Sequence, residues 1–410
     1  MKNILVISES LRINGTSSGI VSSSFIKLLA ESGFNVTVIT ENNFEYPITW
    51  LPENIEVIKF DIIPIKKSII DKIPKVKALP TYLTGFSNSF RNLVNQYKTE
   101  TVKQLRKQNF DLIYALGSGN AFAPHFALAE MELSIPYYVN IHDPFPMHVY
   151  PEPYKKPKYW INSILEKKFK VVLDKAKGIS FPSELLMIEM AKTFDSINKK
   201  SFVIPHIGTS LANLPIEQSD SDIILDSNKI NILHAGTLLG PRNPKFILQA
   251  IEALNTENPA FLKDVEFTFI GKVNKDLTEI VANSNLKNVH FLSIRTSYQK
   301  SLDLIAQSDA LFVIEAIADF SPFLPGKVAD IAFAEKTIID LSPKHSEVRR
   351  LLGSDYPYQC ELDNVNSIKK VLNQFYVDYA NNTVDKETIL RLKKYVSISH
   401  NDEIIKKYLK

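Results

Sequence analysis

Short apolar runs rich in β-branched residues alternate with longer helical patterns along the whole chain. This alternation is typical of parallel sheets whose strands are joined by right-handed helical crossovers. The predicted strands form a first series at residues 3–8, 35–40, 55–60, 111–116, 136–141, 178–181 and 201–204. They form a second series at residues 230–235, 265–270, 288–292, 309–314 and 336–341. We therefore predict an α/β protein with two tandem, doubly wound domains.

The length of the chain agrees with two domains, because 410 residues exceed what one hydrophobic core usually serves. A polar segment without periodicity, 208–228, separates the two series of strands and is the best linker candidate. We predict an N-terminal domain over 1–207, the linker, a C-terminal domain over 229–385, and a helical C-terminal segment over 386–410.

Composition excludes several classes of protein. The net charge of +3 gives no bulk attraction to nucleic acid. Cys360 is the only cysteine, so the chain has neither an internal disulfide nor a thiolate zinc site, and we expect this residue to be buried in a late strand. The apolar start is too short for a signal peptide, and no apolar run is long enough to span a bilayer. These features predict a cytoplasmic protein.

Candidate functional residues follow the predicted strands, where ligands bind in open parallel sheets. His142 and Asp143 follow residues 136–141 in the sequence IHDPFP. A histidine in this position can act as a general base, donate a hydrogen bond to a sugar, or anchor the loop, and we favour a functional role. The glycine-rich loop GTSSG, with Gly15, Thr16 and Gly19, opens a helix and is either an anion-binding loop or a plain turn.

Two further strand ends carry basic residues. In GTLLGPRNPK, Gly236 follows a strand and Arg242 offers a fork of donors to phosphate oxygens. In SPFLPGKVAD, which begins at Ser321, the prolines precede a helix whose first amides and Lys327 suit a diphosphate. Asp330 lies three residues further along the same helix and suits a ribose diol. The alternatives are solvated basic residues in turns.

A basic stretch and an acidic motif need separate readings. Residues 59–107 contain eleven basic and three acidic residues, a net charge of +8. This charge slightly favours contact with an anionic membrane or acceptor over a solvated helical face.

Asp220 and Asp222 have a spacing that holds metals in some transferases, but they fall in the polar linker, so we interpret them as solvated. We predict no metal site and no cofactor.

The order of these motifs resembles that of a known family. The segments HAGTLLGPRNPKFILQAI, FTFIGK, LIAQSDALFVIEA and SPFLPGKVADIAFAEKTII resemble the C-terminal half of bacterial family 4 glycosyltransferases. The segments IHDPFP, FPSELLMIEMAKTF and VIPHIG resemble a subgroup in exopolysaccharide, capsule and lipopolysaccharide biosynthesis. The resemblance implies the GT-B fold, in which two Rossmann-like domains face a cleft and a C-terminal helix crosses back to the first domain.

The resemblance also implies roles for individual residues. The first domain would bind the acceptor and the second a nucleotide sugar. The residues that would contact the donor diphosphate are Gly236, Arg242, Ser321 and Lys327. Asp330 would hold the ribose, and Ser293 and Ile294 would lie by the nucleobase. His142 and Asp143 would lie near the transferred sugar, and the GTSSG loop would face the donor phosphates or the acceptor.

Several positions depart from the family pattern. The family usually has two glutamates separated by seven residues, and these positions are Pro322 and Asp330 here. Asp319 is a possible substitute for the first glutamate. A usual arginine is Thr237, and a usual lysine is Asn243. We therefore expect Arg242 to carry more of the phosphate charge.

The resemblance implies retaining, metal-independent transfer of a sugar from a UDP- or GDP-sugar to a glycan or lipid-linked acceptor at the inner face of the membrane. A nucleotide-sugar 2-epimerase on the same fold is an alternative. A nucleotide-sugar-binding protein without catalysis is another, supported by Pro322 and Thr237.

Overall fold

The computed structural model describes residues 1–14, 17–44, 48, 50–65, 74–117, 119, 121–209, 223–238 and 240–409. The chain folds as two compact units. The first comprises Met1–Pro205 with Asn401–Lys410, and the second comprises His206–His400.

The first unit is built on a parallel sheet of seven strands in the order β3-β2-β1-β4-β5-β6-β7. Its strands are β1 Asn3–Ser8, β2 Asn35–Glu41, β3 Glu56–Phe60, β4 Leu112–Leu116, β5 Tyr137–Asn140, β6 Gly178–Phe181 and β7 Ser201–Val203. Its helices are α1 Ser17–Glu31, α2 Pro74–Thr84, α3 Asn88–Lys107, α4 Ala123–Ala129, α5 Trp160–Lys175, α6 Glu184–Ala191 and α7 Ile197–Lys200.

The second unit repeats this design with a sheet of six strands in the order β10-β9-β8-β11-β13-β15. Its strands are β8 Ile230–Ala235, β9 Val265–Ile270, β10 Val289–Leu292, β11 Ala310–Ile314, β12 Phe320–Ser321, β13 Thr337–Leu341, β14 His345–Ser346 and β15 Gln359–Cys360. Its helices are α8 Lys245–Glu257, α9 Pro259–Asp264, α10 Thr278–Ala282, α11 Tyr298–Gln307, α12 Gly326–Phe333, α13 Glu347–Leu352, α14 Val365–Ala380 and α15 Glu387–Tyr395.

The central strands have side chains buried on both faces. Every residue of β4 and of β11 is buried, because helices cover both sides of a parallel sheet. Within the first unit, Phe122, Phe126, Phe145 and Phe169 pack ring against ring between the sheet and the helices. Burial of such aromatic side chains is the main force that holds each layer together.

The fold confirms the predicted α/β class and the two doubly wound sheets. Each predicted strand is present within one or two residues of its expected ends. Three strands of two residues each, β12, β14 and β15, are additional, and they are too short to produce a periodic pattern. The prediction for Cys360 is confirmed, since it is buried in β15.

The last helix, α16 Ile398–Leu409, begins in the second unit and ends in the first. The Tyr138 hydroxyl donates to the Tyr408 carbonyl oxygen at 3.0 Å, and the Phe202 and Tyr408 rings stack with centroids 4.1 Å apart. Lys2 Nζ donates to the Leu409 carbonyl oxygen at 3.1 Å. The expected return of the C-terminal helix to the first domain is therefore confirmed.

Within the described residues, no helix has both the length and the apolar character that a bilayer crossing requires.

Candidate functional site

Each sheet has a point at which the strand order reverses. In the second unit it lies between β8 and β11, and in the first between β1 and β4. Loops that leave the carboxyl ends of such strands run in opposite directions and open a crevice for ligands. Gly236 follows β8 directly, and Glu315 follows β11 directly. The topology therefore selects these two loops as the candidate site of the second unit.

Gly236 has a backbone conformation that side chains rarely adopt, with φ of 151°. A Cβ on this residue would lie 3.3 Å from Lys327 Nζ. Its carbonyl oxygen is covered by Gly271, where a Cβ would approach that oxygen to 2.3 Å. The two glycines therefore let the loops after β8 and β9 pack backbone to backbone, and they leave space in which the Lys327 amine lies.

Glu315 is a buried carboxylate with partners from two other segments. Its Oε1 lies 3.5 Å from Arg242 Nη2, and its Oε2 accepts a hydrogen bond of 3.1 Å from Ser321 Oγ. The Glu315 side chain is 1% exposed, whereas that of Arg242 is 24% exposed. Burial of an unpaired carboxylate is unfavourable, so this pair fixes Arg242 beside the end of β11.

Lys327 lies in the first turn of α12, which begins after Pro325 without a side-chain cap. Burial and the nearby Arg242 together lower the pKa of Lys327 to about 7, against the opposing effect of Glu315. An anion at this point would restore the full charge of the amine and accept hydrogen bonds from the first amides of α12. The arrangement suits an anionic group such as a phosphate.

His234 is a further titratable group of this cluster. It is the penultimate residue of β8 and is 1% exposed. Burial lowers its pKa well below the ordinary value, and the charges of Lys327 and Arg242 add to this effect. The imidazole is therefore neutral at physiological pH and adds no positive charge to that of Lys327 and Arg242.

Asp330 lies one turn along α12 from Lys327 and already has protein partners. Its Oδ1 accepts hydrogen bonds from the Tyr298 hydroxyl at 2.8 Å and from the Thr209 amide at 3.3 Å. Burial raises the pKa of Asp330 to about 7, against the opposing effect of these two donors. One oxygen of the carboxyl group therefore links α12 to α11 and to residue 209.

Ser293 and Ile294 follow β10 and are both exposed. The Ile294 amide donates to the Leu292 carbonyl oxygen at 2.8 Å, which closes a tight turn. The predicted role of Ser293 and Ile294 beside a nucleobase stays a prediction.

In the first unit, His142 and Asp143 follow β5 and are half-buried. The His142 ring hydrogen-bonds to the backbone of Gly117 after β4, and burial lowers its pKa to about 4. Gly119, with φ of 59°, lies near Asp143, because a Cβ there would be 3.9 Å from the Asp143 Oδ2. His142 is therefore neutral and is held at the loop after the neighbouring strand β4.

The remaining predicted loop is only partly described. Gly15 and Thr16 lie outside the described residues. Gly19 lies in the first turn of α1, where a Cβ would approach the Arg12 carbonyl oxygen to 2.0 Å, so this glycine permits close packing of the two segments. Glu9, directly after β1, accepts a hydrogen bond of 2.8 Å from the Ala123 amide at the start of α4.

The acidic motif at Asp220 and Asp222 also lies outside the described residues. No group of three or more His, Cys, Asp or Glu side chains that could hold a metal ion occurs in the part of the chain that the structure describes.

The positions that depart from the family pattern have distinct surroundings. Asp319 is exposed, whereas Glu315 is the carboxylate that lies with Arg242. Pro322 is buried and Thr237 is exposed. Asn243 accepts a hydrogen bond of 2.9 Å from the Lys245 amide, so it helps to begin α8.

Glu315, His234 and Glu9 were not among the site residues predicted from the sequence. One signal was available for both glutamates, because each is the first charged residue after a buried strand. No signal was available for His234, since its proximity to Lys327 depends on the pairing of distant strands.

Solved structures share this fold over the whole chain. Sucrose-phosphate synthase from Thermosynechococcus elongatus is 13% identical with a TM-score of 0.67, and the match covers 100% of this chain and 98% of that one. HepE from Anabaena, solved with UDP and glucose, is 14% identical with a TM-score of 0.63 and coverage of 100% and 99%. A trehalose-6-phosphate structure from Escherichia coli, bound with UDP-2-fluoro glucose, is 12% identical with a TM-score of 0.64 and coverage of 99% and 98%.

The fold is that of the GT-B glycosyltransferases. Residues 19–207 match the family described as Glycosyltransferase Family 4. Residues 19–207 are therefore similar to family 4 glycosyltransferases, and the whole chain has the GT-B fold. Among curated proteins, no sequence matches the chain at a significant level.

Proposed function

We propose that the chain transfers a sugar from a UDP- or GDP-sugar to a glycan or lipid-linked acceptor in cell-surface polysaccharide biosynthesis. The observation that carries the proposal is the cluster of Arg242, Lys327 and Glu315 at the strand-order reversal of the second unit. Two similar structures were solved with UDP and glucose and with UDP-2-fluoro glucose, which supports a nucleotide-sugar donor.

Arg242 and Lys327 bind the donor diphosphate in this proposal, and the first amides of α12 contribute further donors. The Ser321 hydroxyl donates to Glu315 and so helps to position Arg242. When the bond from the anomeric carbon to the diphosphate oxygen breaks, the electron pair stays on that oxygen. Positive charge fixed beside it stabilises the transition state. Glu315 keeps Arg242 in position before the donor arrives. These groups carry the charge without a metal ion.

The acceptor hydroxyl then forms the new bond to the anomeric carbon on the face that the diphosphate leaves, and its proton passes to the departing diphosphate. The transfer therefore retains the anomeric configuration. In this scheme His142 and Asp143 of the first unit contact the transferred sugar. Because His142 is neutral, its imidazole is suited to hydrogen bonding with a sugar hydroxyl. Asp330 holds the ribose through the carboxyl oxygen that Tyr298 and Thr209 leave open.

A thermal-shift screen against UDP, GDP and their sugars tests the donor assignment. We expect one nucleotide and its sugars to raise the melting temperature. A folded sample that no nucleotide stabilises would refute the proposal. Incubation of the stabilising sugar nucleotide with glycan and lipid-linked acceptors, with and without EDTA, then tests transfer and metal dependence. NMR of the product reports the anomeric configuration, and a 2-epimer formed from the donor alone would contradict transfer.

His142→Ala separates catalysis from donor binding in the same assays. We expect it to abolish transfer and to leave nucleotide binding intact, because His142 lies in the first unit. His290→Ala, which changes an exposed histidine paired with Glu266, is the control and retains full activity. Normal transfer by His142→Ala would show that His142 does not take part in catalysis.

A further inference from the structure

Five large apolar side chains are exposed in one region of the first unit. They are Leu79 at 51%, Tyr82 at 56%, Leu83 at 69%, Tyr159 at 65% and Trp160 at 73% exposure. Single exposed apolar residues are common on protein surfaces, but a group of this size marks an interaction site. We call these five residues the α2–α5 patch.

The patch is continuous because α2 packs against α5. Trp160, the first residue of α5, donates a hydrogen bond of 3.2 Å from Nε1 to the Tyr82 carbonyl oxygen of α2. Leu79 and Leu83 lie one helical turn apart on the same face of α2. Gly85, directly after α2, touches α5 as well, since a Cβ there would lie 3.0 Å from Leu165. Two separate chain segments therefore present one apolar surface.

Basic residues flank the patch. Lys155, Lys156 and Lys158 are exposed and directly precede Tyr159 and Trp160. Lys158 pairs with Glu166 at 2.7 Å. No carboxylate of the described chain pairs with Lys155 or Lys156, so their charges are available to an external anionic surface. Tryptophan, tyrosine and lysine side chains together are typical of the boundary between lipid headgroups and hydrocarbon.

Leu79, Tyr82 and Leu83 lie within the basic stretch 59–107, but the charged residues of α3 in that stretch are less suited to membrane contact. Arg91 and Lys98 on α3 both pair with Glu130, at 2.5 and 3.4 Å, and Lys103 pairs with Glu100. Glu130 lies outside residues 59–107, so the charge count of that stretch overstates its positive charge. Lys66, Lys67 and Lys72 of the stretch lie outside the described residues.

We infer that the α2–α5 patch binds the surface of an anionic lipid bilayer, with Leu83 and Trp160 among the headgroups and Lys155 and Lys156 against the lipid charges. This inference deepens the proposed function, because it brings the first unit to the surface that carries lipid-linked acceptors. Apolar burial and electrostatic attraction both contribute to such binding.

The tryptophan emission of the chain provides a direct measurement. The chain has two tryptophans, and Trp50 is only 6% exposed, so a change on membrane binding reports Trp160. We expect vesicles of phosphatidylcholine with phosphatidylglycerol to shift the emission to shorter wavelength and to sediment the protein. Vesicles of phosphatidylcholine alone bind it more weakly. A protein that neither shifts nor sediments with the anionic vesicles refutes the inference.

Matched variants locate the surface. Lys155→Glu with Lys156→Glu is expected to weaken binding to the anionic vesicles roughly tenfold or more, since each basic residue near such a surface contributes. The control is Lys369→Glu with Lys370→Glu on α14, which leaves binding unchanged. Leu83→Ser is expected to weaken binding severalfold, whereas Leu390→Ser, at an exposed position on α15, has no effect. Equal binding by each variant and its control would overturn the inference.

Two further measurements keep the outcomes distinct. The melting temperature of each variant with the stabilising nucleotide shows that it is folded, and donor binding is expected to be unchanged. If the unaltered chain binds no nucleotide, the proposed function is wrong. If it binds nucleotide but does not bind vesicles, only the inferred membrane-binding role of the α2–α5 patch is wrong. If analytical ultracentrifugation shows a dimer that Trp160→Ser dissociates, a second copy covers the patch and the membrane assignment is wrong.

Discussion

Glu315 Oε1 lies 3.5 Å from Arg242 Nη2, so this buried carboxylate compensates the charge of the guanidinium. The family pattern directed attention to Pro322, with Asp319 as a possible substitute, but the carboxylate beside Arg242 is that of Glu315. The reason is topological. β11 lies between β8 and β13, so the residue that follows it lies at the strand-order reversal beside the loop after β8. Asp319 is four residues further along and is exposed.

Glu315→Gln tests this pairing. The amide keeps a hydrogen bond with Ser321 but removes the charge that compensates Arg242. We expect the free energy of unfolding to fall by about 1–3 kcal/mol, because a partly buried cation loses its partner. The control, Asp319→Asn, changes it by less than about 0.5 kcal/mol. Denaturant titration gives both values. A larger effect for Asp319→Asn would show that Asp319, and not Glu315, compensates the charge of Arg242.

Asp330→Asn tests the buried carboxyl group through its pH dependence. Burial raises the pKa of Asp330 to about 7 in the folded chain, whereas an unfolded aspartate titrates near ~4. The folded state binds the proton more tightly in this range, so this group lowers stability as the pH rises from about 4 to about 7. Asparagine cannot ionise, and its oxygen still accepts from Tyr298 and Thr209. We expect the variant to be more stable by about 1–3 kcal/mol above pH 7.

The stability difference between Asp330→Asn and the unaltered chain should disappear near pH 4. Measuring a difference is necessary because Asp340, whose pKa burial also raises to about 7, contributes the same trend to both proteins. Asp363→Asn, at an exposed position, is the control and shows no such pH dependence. A constant difference across the pH range would show that Asp330 is ionised throughout.

At the scale of elements, the loops after β8 and β9 support the charged cluster. Gly236 and Gly271 meet backbone to backbone, with φ values of 151° and 136°. Lys327 reaches the space beside Gly236 from α12. A side chain at either glycine would separate the loops or displace the lysine amine. The charged cluster of Arg242, Lys327 and Glu315 therefore depends on the packing of these loops as well as on its charged residues.

Gly271→Ala tests this packing. Its Cβ would meet the Gly236 carbonyl oxygen at 2.3 Å and its φ suits only glycine, so we expect a loss of about 3 kcal/mol in stability and weaker nucleotide binding. Gly240→Ala is the control, since its Cβ would lie at an ordinary 3.4 Å from the Asp276 side chain. Urea unfolding and nucleotide titration measure the two effects. Equal stability of both variants would contradict the described contact.

Sequence periodicity was sufficient for the long strands. Runs such as residues 3–8 and 309–314 are apolar, β-branched and bounded by breakers, so local composition alone identifies them. The two-residue strands β12, β14 and β15 exist because tertiary contacts pair them, and no local signal precedes such pairing. The return of α16 to the first unit followed from the family resemblance, because the sequence alone does not specify the contact of Tyr408 with Tyr138.

The candidate site was predictable to a similar degree. Arg242 and Lys327 follow strand ends, and the rule for open parallel sheets brings such residues together. Glu315 and His234 join them through pairing of β8 with β11, which links residues about 80 positions apart and leaves no trace in local sequence. The single-residue roles of Ser293 and Ile294 came from the resemblance alone and remain predictions.

At the scale of the whole molecule, the two units have different proposed tasks. The second contains the Arg242–Glu315 pair and Lys327, and the first contains His142 and the α2–α5 patch. Hydrogen exchange with and without UDP tests this division. We expect the largest gain in protection in the loop 236–245 and at the start of α12, because a bound ligand suppresses local opening where it contacts the chain. Stronger protection in the first unit would assign the donor to that unit.

The affinity of the chain for UDP, measured by calorimetry, tests the central claim most directly. Lys327→Ala should weaken binding by about 1–3 kcal/mol, because it removes a charged donor to the diphosphate. Lys336→Ala is the matched control, since this lysine lies just beyond the end of α12, and it should bind within about twofold of the unaltered chain. Equal affinities of the two variants for UDP, or for GDP if that is the nucleotide bound, would contradict a diphosphate site at Lys327.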